Sequence, residues 1–412
     1  MRLVIIGLMV LFVVSCQQPP VKKVTIKQDV AVLAADEMGG RQTGTPGELL
    51  AATYITKRFS DIGLTPKGME GTFTQTFSFT PSANPHEQSE FTNIQEDGSV
   101  TGTNVIGYID NNASTTVIIG AHYDHLGMGG EGSLDREKPA IHNGADDNAS
   151  GVAILLALAH SLKHQSPTIT QNNYLFMAFS GEEMGLLGSN YFVKTPTIDT
   201  KKVSYMINMD MVGRLNKEQT LAVYGVGTSS IFKQTLFANN DQGLTINEHQ
   251  SGVGPSDHTS FYLADIPVLH FFTGQHADYH KPSDDTEKLN YQGMERISNY
   301  ILNIITDLDD AGQLVFKKTK NESEEVPMFK VALGVVPDYL FNGEGMRIDG
   351  VSEGKPAQKA SLQRGDIVVK LGTMNTPDMM SYMKALASFE EGATTTVTVN
   401  RNGKLIEREV TF

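Results

Sequence analysis

Histidines and carboxylates recur in short polar segments set against apolar runs: His122 in GAHYDH, Asp146 and Asp147 in GADDNASG, Glu182 and Glu183 in FSGEEMG, Asp210 in INMDMVG and His280 in DYHKPSDD. Imidazoles and carboxylates without a thiolate suit zinc or another borderline divalent ion better than an iron–sulfur cluster or copper(I). Two histidines and three ligating carboxylates exceed what one tetrahedral zinc uses, and they match two ions sharing a bridge. Three carboxylates and a bridging hydroxide balance two divalent cations, so a further acid in the set stays free for proton transfer. Glu182 and Glu183 fit that division. Adjacent like charges after NYLFMAF, which reads as a strand buried on both faces, call for cations against them.

Positioning these residues requires an α/β frame. Apolar strand candidates TTVIIGA, NYLFMAF, VSYMINM and IPVLHFF alternate with helical segments, among them GVAILLALAHSL and a closing helix from about Gln292 to Asp309. That alternation predicts a mixed, mostly parallel sheet flanked by helices, with ligands beyond the C-terminal ends of the strands. His122, Glu182, Glu183, Asp210 and His280 all follow such runs, and Asp146 and Asp147 lead into a helix. Upstream, GELLAATYITKRFSDIGL shows Leu49, Ala52, Ile55, Phe59 and Ile62 at helical spacing with Gly63 as its stop, and FTQTFSF and NVIGYI are strand-like. Near Lys317 the text turns to KKTKNESEEVP, a charged linker over 313–325. Residues 326–412 read as a small β-rich domain around the helix DMMSYMKALASF, closing on a hairpin turned at Arg401-Asn402-Gly403.

The chain of 412 residues has room for two domains, and its net charge of -14 excludes a nucleic-acid or anionic-membrane surface as the main partner. Arg2, the apolar run Leu3–Val14 and Cys16, the single cysteine, have the layout of an export signal over 1–16, too short to span a bilayer. The placement of Cys16 behind Val13, Val14 and Ser15 resembles a bacterial lipobox. It implies cleavage before Cys16, lipid attachment there, and a lipid-anchored protein of the periplasm or outer membrane, with residues 17–29 as a tether.

Taken in order, GAHYDH, GADDNASG, SGEEMGLLGS, INMDMVGR and YHKPSD resemble the co-catalytic di-zinc aminopeptidases of clan MH, whose relatives include glutamate carboxypeptidase and the glutaminyl cyclases. The likeness runs over the expected peptidase domain, 30–312, including the leader GRQTGTPGELLAATYI. It implies His122 and Asp210 on one zinc, Glu183 and His280 on the other, and Asp147 between them, the acid three residues before the serine being chosen over Asp146. It further implies a cis peptide from Asp147 to Asn148, Glu182 as general base, Asp124 orienting His122, Tyr279 as donor to the oxyanion, and Asp257 with His258 in support. The activity implied is removal of N-terminal residues from peptides. Carboxypeptidase and cyclase relatives share the fold, but the cyclases use one zinc, against the full ligand set here, and the large insertions of glutamate carboxypeptidases are missing. A non-enzymatic peptide binder would show eroded ligands, and none is lost.

Other histidines have plainer readings. His160 and His164 stand at i and i+4 on a helix, yet Ser161 occupies the place of the HExxH glutamate, so a solvated or partly packed face is expected. His270 inside IPVLHFF reads as a core histidine, His125 and His142 flank the loop GMGGEGS that could border the pocket, and the methionines of VSYMINMDM read as packing. The C-terminal domain resembles a PDZ domain through ALGV near Leu333, SEGKPAQKASLQRGDIVVKLG and the helix from Asp378 to Phe389. That resemblance implies an extended peptide added to a sheet edge, with amides at Leu333 and Gly334 facing a terminal carboxylate. Ser361 stands where such domains usually have glycine, and ALGV matches the carboxylate-binding signature only approximately.

Overall fold

The computed structural model describes residues 24–81, 89–92, 98–130, 132–135, 138–164, 168–319, 331–338, 341, 343–352 and 354–412. Cys16 and the whole segment 1–16 lie outside them, as do residues 320–330.

Strands β1 (Thr65–Pro66), β2 (Thr74–Thr80), β3 (Glu90–Thr92), β4 (Val100–Ile109), β5 (Thr115–His122), β6 (Asn172–Phe179), β7 (Val203–Met209), β8 (Thr220–Tyr224), β9 (Thr245–Glu248) and β10 (Val268–Phe272) form one sheet. Their order is β3-β2-β4-β6-β5-β7-β10-β8-β9, with β1 on β4. The middle four, β6, β5, β7 and β10, run parallel, and β4 and β8 flank them antiparallel. Every residue of these four is buried, which is why apolar residues dominate on both faces. Successive side chains enter opposite faces. Phe176, Ile119 and Ile207 join the core on one side, while Met177, Ile118 and Met206 join the core on the other.

The first face is covered by helices α1 (Ile26–Leu33), α2 (Pro46–Ile62), α3 (Gly151–His164) and, after the helices α4 (Leu187–Lys194), α5 (Phe232–Ala238) and α6 (His258–Tyr262), by the closing helix α7 (Tyr291–Asp307). Phe192 of α4 and Phe261 of α6 pack on the second face. The register aligns the C-terminal ends: His122 pairs with Phe179, and Phe271 with Met209. Whatever follows those residues emerges at one sheet edge.

Three expectations need correction. Residues 26–29 are helix and not tether, because Thr25 and Gln28 form a capping box and Asp29 is clamped by Arg58 Nε at 2.7 Å and Tyr54 Oη at 2.6 Å. Leu49 is 56% exposed, and its expected place on the inner stripe of α2 is taken by the neighbouring Glu48, fully buried by its hydrogen bonds. The start of the charged linker is docked: the Lys317 amide donates to the Thr228 carbonyl at 2.8 Å, and Phe316 packs on Tyr262.

The small domain has its own core, around Leu333, Ile348, Val368, Tyr382 and Val399. Its strands are β11 (Val335–Pro337), β12 (Met346–Val351), β13 (Ile367–Leu371), β14 (Met374–Asn375), β15 (Thr394–Arg401) and β16 (Lys404–Thr411), with helices α8 (Pro356–Lys359) and α9 (Met379–Ala387). Arg401 pairs with Lys404, so the turn proper is Asn402-Gly403, at φ 53° and 82° as a two-residue type I′ turn requires. Ser361 has φ 59°, a left-handed conformation that accounts for the glycine preference there.

Candidate metal centre

At the aligned strand ends His122 closes β5, Glu182 and Glu183 follow β6, Asp210 follows β7, and the loop after β10 carries His280. Asp147 arrives from the segment leading into α3. Asn148 ties that segment to the end of β7: its Nδ2 donates to the Met209 carbonyl at 3.0 Å and its Oδ1 accepts from the Met211 amide at 3.2 Å. The Asp147–Asn148 peptide is cis.

Two donor groups result. His122, Asp147 and Asp210 offer atoms within 4.8 Å of one another, and so do His125, Asp147 and Glu183. His280 belongs with the second group, its Nε2 standing 3.2 Å from both Asp147 Oδ2 and Glu183 Oε2. His122 Nε2 lies 3.4 Å from Asp147 Oδ1 and 3.2 Å from Asp210 Oδ1. The two oxygens of Asp147 therefore face opposite groups. Asp146, its neighbour, turns away, accepting from the Gly213 amide at 2.6 Å and facing His276 Nε2 at 3.1 Å.

Main-chain carbonyls orient both rings. His280 Nδ1 donates to Gly132 at 2.9 Å and His122 Nδ1 to Asp124 at 3.2 Å, so in the neutral rings each Nε2 keeps its lone pair for the cluster. The Asp124 carboxylate faces the same ring, 3.7 Å from His122 Nδ1, and also accepts from the Glu182 amide at 3.1 Å and Thr43 Oγ1 at 3.1 Å. It holds the backbone of Glu182, because the chain turns after β6 beside it.

His125, expected only to border the pocket, is buried with Nδ1 2.7 Å from Glu183 Oε1 and Nε2 without a hydrogen-bond partner among the described residues. Its spacing three after His122 was the available signal. His142 bonds Ser133 Oγ and the Ala140 carbonyl, His164 Nε2 donates to the Ile62 carbonyl at the end of α2, and His160 packs on His164. His270 is buried beside Asn208, stacks on His258 with centroids 4.3 Å apart, and also lines the cavity. Tyr279 stacks on His280 at 3.8 Å, while Asp257 is fully buried and outside the cavity lining.

The electrostatics separate the paired glutamates. Burial disfavours ionising Glu183, but His280 and His125 overcome it and hold the carboxyl down at about 2. Glu182 is held well above the usual carboxylate range, by burial first, then by Asp210, Glu183 and Asp257 against the pull of His122. Burial also disfavours charged His122 and His280, yet the surrounding carboxylates raise both well above the usual imidazole value. Carboxylates crowded around two imidazoles make a setting for cations. Divalent ions would supply them and release the imidazole protons. The oxygen and nitrogen donors, the shared Asp147 and the orphaned His125 nitrogen fit zinc.

Two contributors escaped sequence reasoning. Arg41 is fully buried, its Nε donating to the Tyr123 carbonyl at 2.7 Å and its terminal nitrogens to Asn143 at 2.7 Å and Gly144 at 3.0 Å. Glu48 accepts from the amides of Gly44 at 2.8 Å and Thr103 at 2.9 Å, and from Ser180 Oγ. Both sit in the leader motif.

Residues 104–305 match the profile of Peptidase family M28, and residues 316–412 that of a PDZ domain. The segment 104–305 is an M28 peptidase domain. Every residue of the donor groups lies within it. The chain is 33% identical over 173 residues to the alkaline phosphatase isozyme conversion protein of Escherichia coli (strain K12), covering 42% of this chain and 46% of that protein. It is 28% identical over 222 residues to a probable leucine aminopeptidase of Arthroderma otae, covering 51% and 58%. It thus spans about half the length of the curated relatives it matches. Among solved structures, a Zn-dependent exopeptidase from Parabacteroides distasonis shares this fold with a TM-score of 0.54 at 18% identity, over 69% of this chain and 97% of that one. The zinc aminopeptidase BSAP from Bacillus subtilis does so at 0.53 and 18%, over 74% and 97%.

Proposed function

We propose that the M28 domain is a zinc-dependent aminopeptidase holding two zinc ions, one by His122 and Asp210, the other by Glu183 and His280, with Asp147 shared. The observation that carries this is the cavity itself. Beyond the three carboxylates assigned to metal, its described lining holds Glu182 and neither Arg nor Lys, so one free acid is left to face a terminal ammonium and no cationic side chain is offered to a terminal carboxylate. Met211, Tyr224, Phe272 and Tyr279 give the same cavity an apolar wall for the first side chain.

Zinc ions bound there lower the pKa of water and polarise the scissile carbonyl. Glu182, the acid left out of the ligand set, accepts the proton from the attacking water on its carboxylate and passes it to the departing amine. Asp124 keeps that carboxylate in place through the Glu182 amide. Tyr279, held on His280, is the donor for the developing oxyanion. Asp257, which burial pushes up to about 7, supports from behind. Metal analysis tests the centre: about two zinc per chain supports it, and one would favour a cyclase-type site.

The export reading rests on residues 1–16. Cleavage before Cys16 and lipid attachment there anchor the enzyme to a bacterial membrane facing the periplasm. Mass spectrometry of the N-terminal peptide checks it, and an unmodified Cys16 retained behind an intact Met1 would reject it. For the PDZ domain we propose peptide recognition beside α9, with Leu333 and Gly334 at the carboxylate end. The bound chemistry is an extended peptide.

A further inference from the structure

Behind the cluster lies a second acid that none of the proposed chemistry uses. Asp284 is fully buried four residues after His280, on the same loop. Its Oδ2 accepts from two successive main-chain amides, those of Asp146 at 2.9 Å and Asp147 at 3.0 Å, and its own carbonyl accepts from the Ala145 amide at 2.9 Å. The other oxygen makes no hydrogen bond among the described residues, with Arg214 at 3.5 Å and His276 at 3.9 Å as its nearest charged neighbours. Arg214 is meanwhile committed to Asp278 at 2.9 Å.

Three bonds from one residue thus join the loop that carries His280 to the turn that carries Asp147, and two of them end on the carboxylate. The amide of Asp147 is only two bonds from its side chain. Fixing that amide and the one before it fixes where the side chain starts, and hence how its two oxygens divide between the donor groups. We infer that Asp284 is a positioning residue that sets the shared carboxylate of Asp147, and with it the spacing of the two metal sites, by capping the Asp146 and Asp147 amides. The inference rests on Asp147 being the shared ligand proposed above. A mere turn-closing role would need one bond, not an oxygen shared by the two amides beside that ligand.

The test titrates metal-free protein with Co²⁺ and follows the visible spectrum, with melting of the metal-free form as a control for folding. Wild type should bind two equivalents, and failure to do so would sink the two-metal reading itself. Asp284→Ala leaves both amides uncapped and should lose about tenfold or more in Co²⁺ affinity, with an altered spectrum. Asp284→Asn still presents an oxygen to both amides and leaves Arg214 with Asp278, so it should fold and bind within about threefold of wild type. A folded Asp284→Ala with wild-type affinity and spectrum, whatever its melting temperature, would overturn the inference. Should the alanine variant fail to fold, Asp284→Asn decides alone: binding within about threefold sustains the amide cap, and a loss of tenfold or more refutes it.

Discussion

At the residue scale, Glu182 and Glu183 show how one peptide bond can separate two tasks. Glu183 is turned to His125 and His280 and ionised by them, while Glu182 keeps its proton affinity because burial, and then the acids around it, outweigh the pull of His122. Replacing Glu182 by Gln should therefore leave zinc content unchanged and lower kcat by about 10²–10⁴-fold, measured by metal analysis and steady-state kinetics on one preparation. Wild-type turnover would remove Glu182 as base. The two carboxylates of Asp146 and Asp147 divide just as sharply, one into the cluster and one onto the Gly213 amide. Metal-type residues after apolar runs were legible in the sequence because each sits at a strand end. His125 was less so, since its spacing three after His122 was the one signal and a loop rich in glycine shows which way a ring points only when folded, and the bond from the Glu182 amide to the Asp124 carboxylate, which also faces His122, joins residues far apart in sequence.

At the element scale, the parallel strands were readable as apolar runs, and α7 and α9 as the helical segments from about Gln292 to Asp309 and from Asp378 to Phe389. The leader was only half readable. Periodicity identified α2 but put Leu49 on its inner face, since a hydrophobic stripe cannot anticipate a glutamate that finds four donors inside the protein. Arg41 works likewise, fastening the leader to the segments that bear His122 and Asp147. Burial lowers its guanidinium to about 10, so it stays charged at neutral pH. Arg41→Met strands several buried carbonyls and should destabilise the M28 domain by about 3 kcal/mol, a fall of roughly 5–10 °C in Tm by calorimetry. An unchanged Tm would show that water or backbone movement replaces those bonds. In the small domain Ser361→Gly relieves a left-handed side chain and should raise stability by about 0.5–1 kcal/mol in denaturant unfolding, and a loss would place the native contacts of Ser361 above its strain.

At the scale of the whole molecule, the composition shift near Lys317 announced a second domain, but not how closely it borders the first. A cleft of about 360 Å³ is lined by Leu134, Ala277 and Tyr279 on the peptidase side and by Val351, Leu362 and Arg364 on the PDZ side. Tyr279 lines both this cleft and the metal-centre cavity, so a peptide held by its first residue can continue past Tyr279 toward the second domain. Truncation from Glu325 onward should leave kcat/KM for amino-acid amides within about twofold and lower it about tenfold, or 1.4 kcal/mol, for peptides of roughly ten residues. Loss of amide hydrolysis would show instead that the second domain completes the site. The central claim, zinc-dependent removal of N-terminal residues, is tested most directly by product analysis on matched peptides with free and acetylated N-termini. The account predicts stepwise release of N-terminal residues from the free peptide and none from the acetylated one, and cleavage of the acetylated peptide or release from the C-terminus would contradict it.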